Sequence, residues 1–176
     1  GQSVLSLYKI LSKADSNWDK WHIYISDERF LPARHKDRND QTINKIWLDN
    51  STIYKKNIHF IKAELGLLEA RAEYEDTLKR IDKFDIVLLS MGEDGHIASL
   101  FPGHIYPKEQ LVVIEQNSPK PPKERISMSY KQLNQSHYVF KLIMGESKQK
   151  AVTLLEQNVS LPIARVNGDC EKIYHL

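Results

Sequence analysis

The sequence predicts an α/β fold with a mostly parallel sheet, on three observations. Short apolar runs alternate with amphipathic segments along the chain. One run, residues 84–91 (FDIVLLSM), is almost uniformly apolar, as in a parallel strand covered on both faces. Polar clusters follow the ends of such runs at Asp27-Glu28-Arg29, at Glu93-Asp94-Gly95-His96 and at residues 145–148. Ligands of open parallel sheets bind beyond the C-terminal ends of the strands, so these clusters are expected to converge. No repeat, low-complexity segment or linker divides the chain, and a single domain over residues 1–176 is expected.

The elements follow in order. Residues 4, 7, 8 and 11 have helical apolar spacing and predict an opening helix. Gly1-Gln2-Ser3 is an entry of the kind that usually follows a strand, so the chain reads as N-terminally incomplete. Residues 21–25 (WHIYI) predict a buried strand closed by the polar tip 26–29, and residues 39–48 a short helix. Residues 57–61 (NIHFI) predict a strand and 67–81 an exposed-face helix. After 84–91 the turn at 92–96 leads into a helix-like stretch that Pro102-Gly103 breaks. Residues 111–114 read as a strand. Residues 118–122 (SPKPP) are too rich in proline for helix or central strand. Residues 137–144 (HYVFKLIM) predict a strand, 146–157 a helix and 161–166 a last strand.

Composition narrows the function. The chain has 176 residues, 41% hydrophobic and 27% charged, an ordinary globular balance. A net charge of +2 argues against a nucleic-acid or membrane partner. The basic run 34–38 is diluted by Asp37 and Asp40 and reads as a solvated loop. No stretch approaches the ~20 apolar residues that span a bilayer. Cys170 is the only cysteine, which rules out an internal disulfide and suits a reducing, cytoplasmic setting. It falls in a turn-like stretch, with nothing nearby to activate a thiolate. The histidines show no metal-ligand spacing, so no metal is expected.

The strongest chemical signal is residues 91–103 (MGEDGHIASLFPG). Gly92 and Gly95 permit a tight turn and close backbone approach to a ligand. A helix starting near Gly95 would aim free N–H groups at an anion or oxyanion. His96 is the candidate base, since an imidazole takes up a proton near neutral pH, and Asp94 the group that orients it. The plainer alternative makes Asp94 a helix cap and His96 a packed, satisfied histidine. Asp27 is a candidate for accepting a proton or binding hydroxyls, and Arg29 for holding a phosphate or carboxylate through its planar fork; the alternative there is a surface loop. Ser3 is either the remnant of a phosphate-binding loop or an ordinary N-cap. Lys120, Arg125 and Lys148 are candidate anion contacts, Lys148 alternatively a solvated helix lysine. His104 lies close to the main cluster without a clear assignment.

These residues resemble the 6-phosphogluconolactonase family across nearly the whole chain. Residues 26–32 (SDERFLP) are similar to its Asp-Glu-Arg-x-Val-Pro stretch. Residues 90–103 (SMGEDGHIASLFPG) resemble its Gly-Met-Gly-x-Asp-Gly-His-Thr-Ala-Ser-Leu-Phe-Pro-Gly signature. Residues 117–127 (NSPKPPKERIS) resemble its Ser-Pro-Lys-Pro-Pro-x-x-Arg-Ile segment, and 145–148 its Gly-x-x-Lys. The resemblance implies a three-layer, doubly wound fold shared with glucosamine-6-phosphate deaminases. It implies a cofactor-free hydrolase of a sugar-phosphate lactone, with a monomer favoured. By position His96 would activate water, Asp94 would support it, and Asp27 and Arg29 would line the pocket. Ser3, Lys148 and Arg125 or Lys120 would hold the phosphate, and Gly95 would approach the substrate.

The sequence departs from the family pattern in three places. The first glycine of the family's Gly-Gly-Ser/Thr loop does not precede Gly1, so a strand–helix unit of about 30 residues is expected ahead of it. Arg38-Asn39 replaces Ser-Asn, which leaves the pocket role of Asn39 open, and Ile97 replaces threonine. Two other functions compete. A deaminase on the same fold usually continues Ala-Phe-Asn-Glu-Pro after the histidine, whereas this chain has Ala98-Ser99-Leu100-Phe101-Pro102. A sugar-phosphate sensor domain of a regulator needs grip but no base.

Overall fold

The computed structural model describes residues 2–175, with side chains from Val4 onward. Five strands pair in parallel. Strand β1 (Ile23–Tyr24) lies beside β3 (Ile58–His59), and β4 (Phe84–Ser90), β7 (Ser136–Ile143) and β8 (Cys170–His175) form a sheet in the order β4-β7-β8. An antiparallel sheet β2-β6-β5 joins Asp27–Arg29, Arg125–Met128 and Val112–Glu115. The helices are α1 (Gln2–Leu11), α2 (Asn39–Ile46), α3 (Leu67–Leu78), α4 (Tyr130–Asn134) and α5 (Gln149–Glu156).

β4 and β7 form as strands where expected, and Val87, Leu89, Val139 and Ile143 enter the main core, but β4 is covered on one face and not on both. Their other face is more open. Ile86 and Tyr138 there are 52% and 50% exposed, and Tyr138, Phe140 and Tyr174 form a stacked row. A second core gathers Trp18, Trp47, Ile43 and Leu48 beneath α1 and α2.

Several expectations are corrected. The polar tip after β1 is itself a strand: Asp27 pairs with Ser127, and Arg29 with Arg125. No helix starts at Gly95. Ile97 and Leu100 instead bridge across a tight turn in which Ala98 has φ +45°, a left-handed conformation that no helix continues through. Residues 161–166 hold a 3-10 turn (Pro162–Arg165), since Pro162 cannot donate to a ladder. Cys170 begins β8 rather than sitting in a turn. The helix expected over 146–157 is a 3-10 turn (Glu146–Lys148) followed by α5.

The basic run at 34–38 is not wholly solvated. Arg38 is 2% exposed. Its guanidinium donates to the Leu31 and Ile61 carbonyls and pairs with Asp40 and Glu64. Beside it, buried Glu28 accepts from the N–H groups of Arg29, Asn39 and Asp40, which fixes the start of α2. Burial pushes the Glu28 carboxyl up to about 7, against the pull of those three N–H groups. The folded state therefore binds this proton more tightly than the unfolded chain. The resulting stabilisation is complete below the ordinary carboxyl range and is lost as pH rises through about 7. In urea titrations from pH 4 to 8, the stability advantage of the parent over Glu28→Gln is expected to shrink as pH rises. An advantage that stays constant or grows would contradict this assignment.

Candidate active site

The site is built on the turn that leaves β4. Gly92 N–H donates to the His96 carbonyl (2.8 Å) and Gly95 N–H to the Gly92 carbonyl (3.1 Å), which closes residues 92–96 into a compact loop. Inside it, Asp94 Oδ1 accepts from His96 N–H (3.1 Å) and lies 2.5 Å from His96 Nδ1. Partial burial raises the Asp94 carboxyl, but the His96 ring and N–H outweigh that and bring it down to about 2. An ionised Asp94 facing Nδ1 favours the tautomer with its proton there, leaving Nε2 as the acceptor. The imidazole is 23% exposed and packs against Phe101, ring centroids 4.7 Å apart.

Both glycines of the loop have a steric reason. A Cβ on Gly92 would lie 2.1 Å from His96 Cε1 and Nδ1, so the ring sits directly over that position. Gly95 has φ +87°, and a Cβ there would lie 2.6 Å from Leu161 Cδ1. The Gly95 N–H is used within the loop and its carbonyl accepts from Ile163 N–H (3.2 Å). Gly95 thus shapes the turn, and the helix N-terminus expected there for an anion does not exist.

Cations flank the loop. Lys120 Nζ lies 2.9 Å from Glu93 Oε2. The Glu93 carboxyl is held below its usual range by that bond and by the charges of Lys120 and Lys148, so both lysines act on one edge of the site. Arg125, 7% exposed, donates from Nε to the Pro122 carbonyl (3.1 Å) and from Nη2 to the Lys120 carbonyl (2.8 Å). It secures the proline loop that presents Lys120. Its guanidinium also lies 5.6 Å from the Phe101 ring centroid. Arg29 donates to the Asp37 carbonyl and lines a cleft of 280 Å³ with Leu31, His35, Asp37, Pro121 and Pro122.

Asp27, on β2, reaches the same region. Its Oδ2 accepts from Ser99 Oγ (2.7 Å) and its Oδ1 from Asn39 Nδ2 (3.2 Å), so the Asn39 side chain left open by the sequence is tied to Asp27. Sequence reasoning missed a second histidine–carboxylate pair behind Phe101: His104 Nδ1 lies 2.7 Å from Glu115 Oε2, which also accepts from Tyr106 OH (2.5 Å). A glutamate ending a four-residue strand carries no local signal of such a partner. Ser3 lies outside the described side chains. Among the described residues no three metal-ligating side chains gather, and no helix is long and apolar enough to cross a membrane.

The sequence pattern of the family described as glucosamine-6-phosphate isomerases/6-phosphogluconolactonase matches residues 1–175. The chain belongs to that family. A 6-phosphogluconolactonase of Thermotoga maritima is 31% identical over 169 residues, which cover 96% of this chain and 77% of the relative. The chloroplastic 6-phosphogluconolactonase 3 of Arabidopsis thaliana is 34% identical over 197 residues, 100% of this chain but 61% of that protein. The crystal structure of the Thermotoga maritima 6-phosphogluconolactonase superposes with a TM-score of 0.93 at 30% identity, covering 99% of this chain and 81% of that one. A monomeric glucosamine-6-phosphate deaminase, at 22% identity and a TM-score of 0.77, shares the fold. The chain therefore has the α/β fold of both of these structures.

Proposed function

We propose that the protein hydrolyses 6-phospho-D-glucono-1,5-lactone to 6-phospho-D-gluconate, with His96 as general base. The observation that carries this reading is the His96 ring, held at Nδ1 by an ionised Asp94 and resting on Gly92. Nε2 takes a proton from water, and the hydroxide adds to the lactone carbonyl carbon. The tetrahedral intermediate collapses by breaking the bond from that carbon to the ring oxygen. The proton on Nε2 passes to the departing oxygen, which leaves a ring-opened acid that ionises. Nothing in this sequence of steps requires a cofactor.

Lys120 and Lys148 supply the positive charge for the phosphate, with Ser3 as a further contact. Arg125 acts mainly by holding the Lys120 loop. Asp27 and Arg29 bind the sugar hydroxyls and the far wall of the cleft. Gripping the phosphate at a distance from the reacting carbon makes attack effectively unimolecular. We read residues 1–176 as one domain carrying this site.

The test is hydrolysis of the lactone, corrected for spontaneous ring opening, beside ammonia release from glucosamine 6-phosphate. Enzyme-dependent hydrolysis without ammonia release is expected. Ammonia release would assign the chain to the deaminase branch, and binding of either compound without turnover to a sensor.

A further inference from the structure

Asp27 lies on β2 and His96 in the loop that leaves β4, and Ser99 links the two segments. Ser99 sits at the tip of the turn that follows His96, with 0% exposure, and its hydroxyl donates to Asp27 Oδ2 at 2.7 Å. Everything else about Ser99 is fixed. Its N–H donates to Ser127 Oγ (3.2 Å), and its carbonyl lies 3.3 Å from Tyr106 OH, whose shorter bond is to Glu115. Ser127 is the residue that pairs with Asp27 across β2 and β6, so one position on β6 registers both partners. The turn itself is held by the Leu100 N–H to Ile97 carbonyl bond (2.8 Å), with both of those side chains fully buried. Ala98 is kept left-handed at φ +45° to make the turn, although alanine has none of glycine's freedom there. Such strain persists only where surrounding contacts over-determine it.

The second Asp27 oxygen is held separately. Asn39 Nδ2 donates to Oδ1 (3.2 Å) and to the Asp27 carbonyl (2.8 Å), and Glu28 holds the Asn39 N–H (2.8 Å). The carboxylate is thus held from two sides by groups that are themselves hydrogen-bonded.

We propose that Ser99 is a positioning residue for the reaction: it fixes the Asp27 carboxylate relative to His96 and does not itself touch the substrate. The proposal rests on the functional reading above only in taking Asp27 as a substrate contact. A group misplaced by about 1 Å can cost up to ~100-fold in rate, and with Asn39 still in place a loss of about tenfold is expected.

The experiment is a double-mutant cycle with Ser99→Ala and Asp27→Asn, measuring kcat and KM for lactone hydrolysis and the thermal midpoint of each variant. Ser99→Ala is expected to lower kcat about tenfold with KM within about twofold, and to change kcat less than about twofold in the Asp27→Asn background. An equal loss in both backgrounds would overturn the proposal, as would no loss in the parent background. In parallel, the 13C carboxyl resonance of Asp27 in the intact protein is expected to shift in Ser99→Ala while that of Asp94 stays in place. An unmoved Asp27 resonance would also overturn it. This readout needs no turnover, so failure of the lactonase reading and failure of the positioning role give different results.

Discussion

His96→Ala is expected to lower lactone turnover by at least ~100-fold, the usual scale of a general acid–base contribution. The expectation follows from how completely the loop commits the ring. Nδ1 faces a carboxylate that stays ionised down to about 2, so throughout the neutral range the ring is oriented by an anion and presents Nε2. No second histidine can substitute within the loop, because His104 lies beyond Phe101 and is bound to Glu115. The truncation leaves a gap at a partly exposed position, so the circular dichroism spectrum and thermal midpoint should change little. Initial rates, with the spontaneous reaction subtracted, check the result. A variant within about tenfold of the parent would remove His96 from the base role while leaving the family membership intact.

Gly92→Ala is expected to be nearly as damaging, although it removes no chemical group. The new methyl would lie 2.1 Å from His96 Cε1 and Nδ1, well inside contact distance, so the imidazole must swing away and give up its 2.5 Å contact with Asp94. A shift of that size in a reacting group costs on the order of 100-fold. The Gly92 backbone is not left-handed, so alanine adds no backbone strain, and the damage falls on the ring. The check is kcat together with the imidazole proton resonances of His96. Full activity with an unmoved ring would mean that the loop relaxes around the methyl and that the close approach is incidental.

Much of this arrangement was legible beforehand, for identifiable reasons. β4 could be read because Val87 and Leu89 enter the core within an almost uninterrupted apolar run. The 92–96 loop could be read because glycines flanking two acids before a histidine have little structural reason to occur together at a strand end. β2 and β6 were harder. They are three and four residues long, too short to show alternation, and β6 is buried on both faces despite Arg125 and Ser127. β8 was missed because its side chains are largely exposed and it carries no apolar stripe. The helix expected at Gly95 failed at Ala98, whose left-handed backbone no local pattern announces, and the next residue, Ser99, is bonded to Ser127 far along the chain. The Ser99–Asp27 bond joins residues 72 apart in sequence, the His104–Glu115 bond links a loop to the end of a short strand, and no local pattern announces either pair.

The parallel pairing of β4 also bears on how the chain is made. Among the described residues, 84–90 pair with 136–143, and that strand pairs in turn with 170–175. During synthesis this strongly apolar segment therefore leaves the ribosome well before its partner at 136–143. Parallel pairing must also close a long loop before it is rewarded. A nascent chain in that interval displays a short, β-prone, nearly uncharged strand of the kind that aggregates or recruits chaperones. The protein's yield in a cell is accordingly expected to depend on the speed at which residues 136–175 are translated.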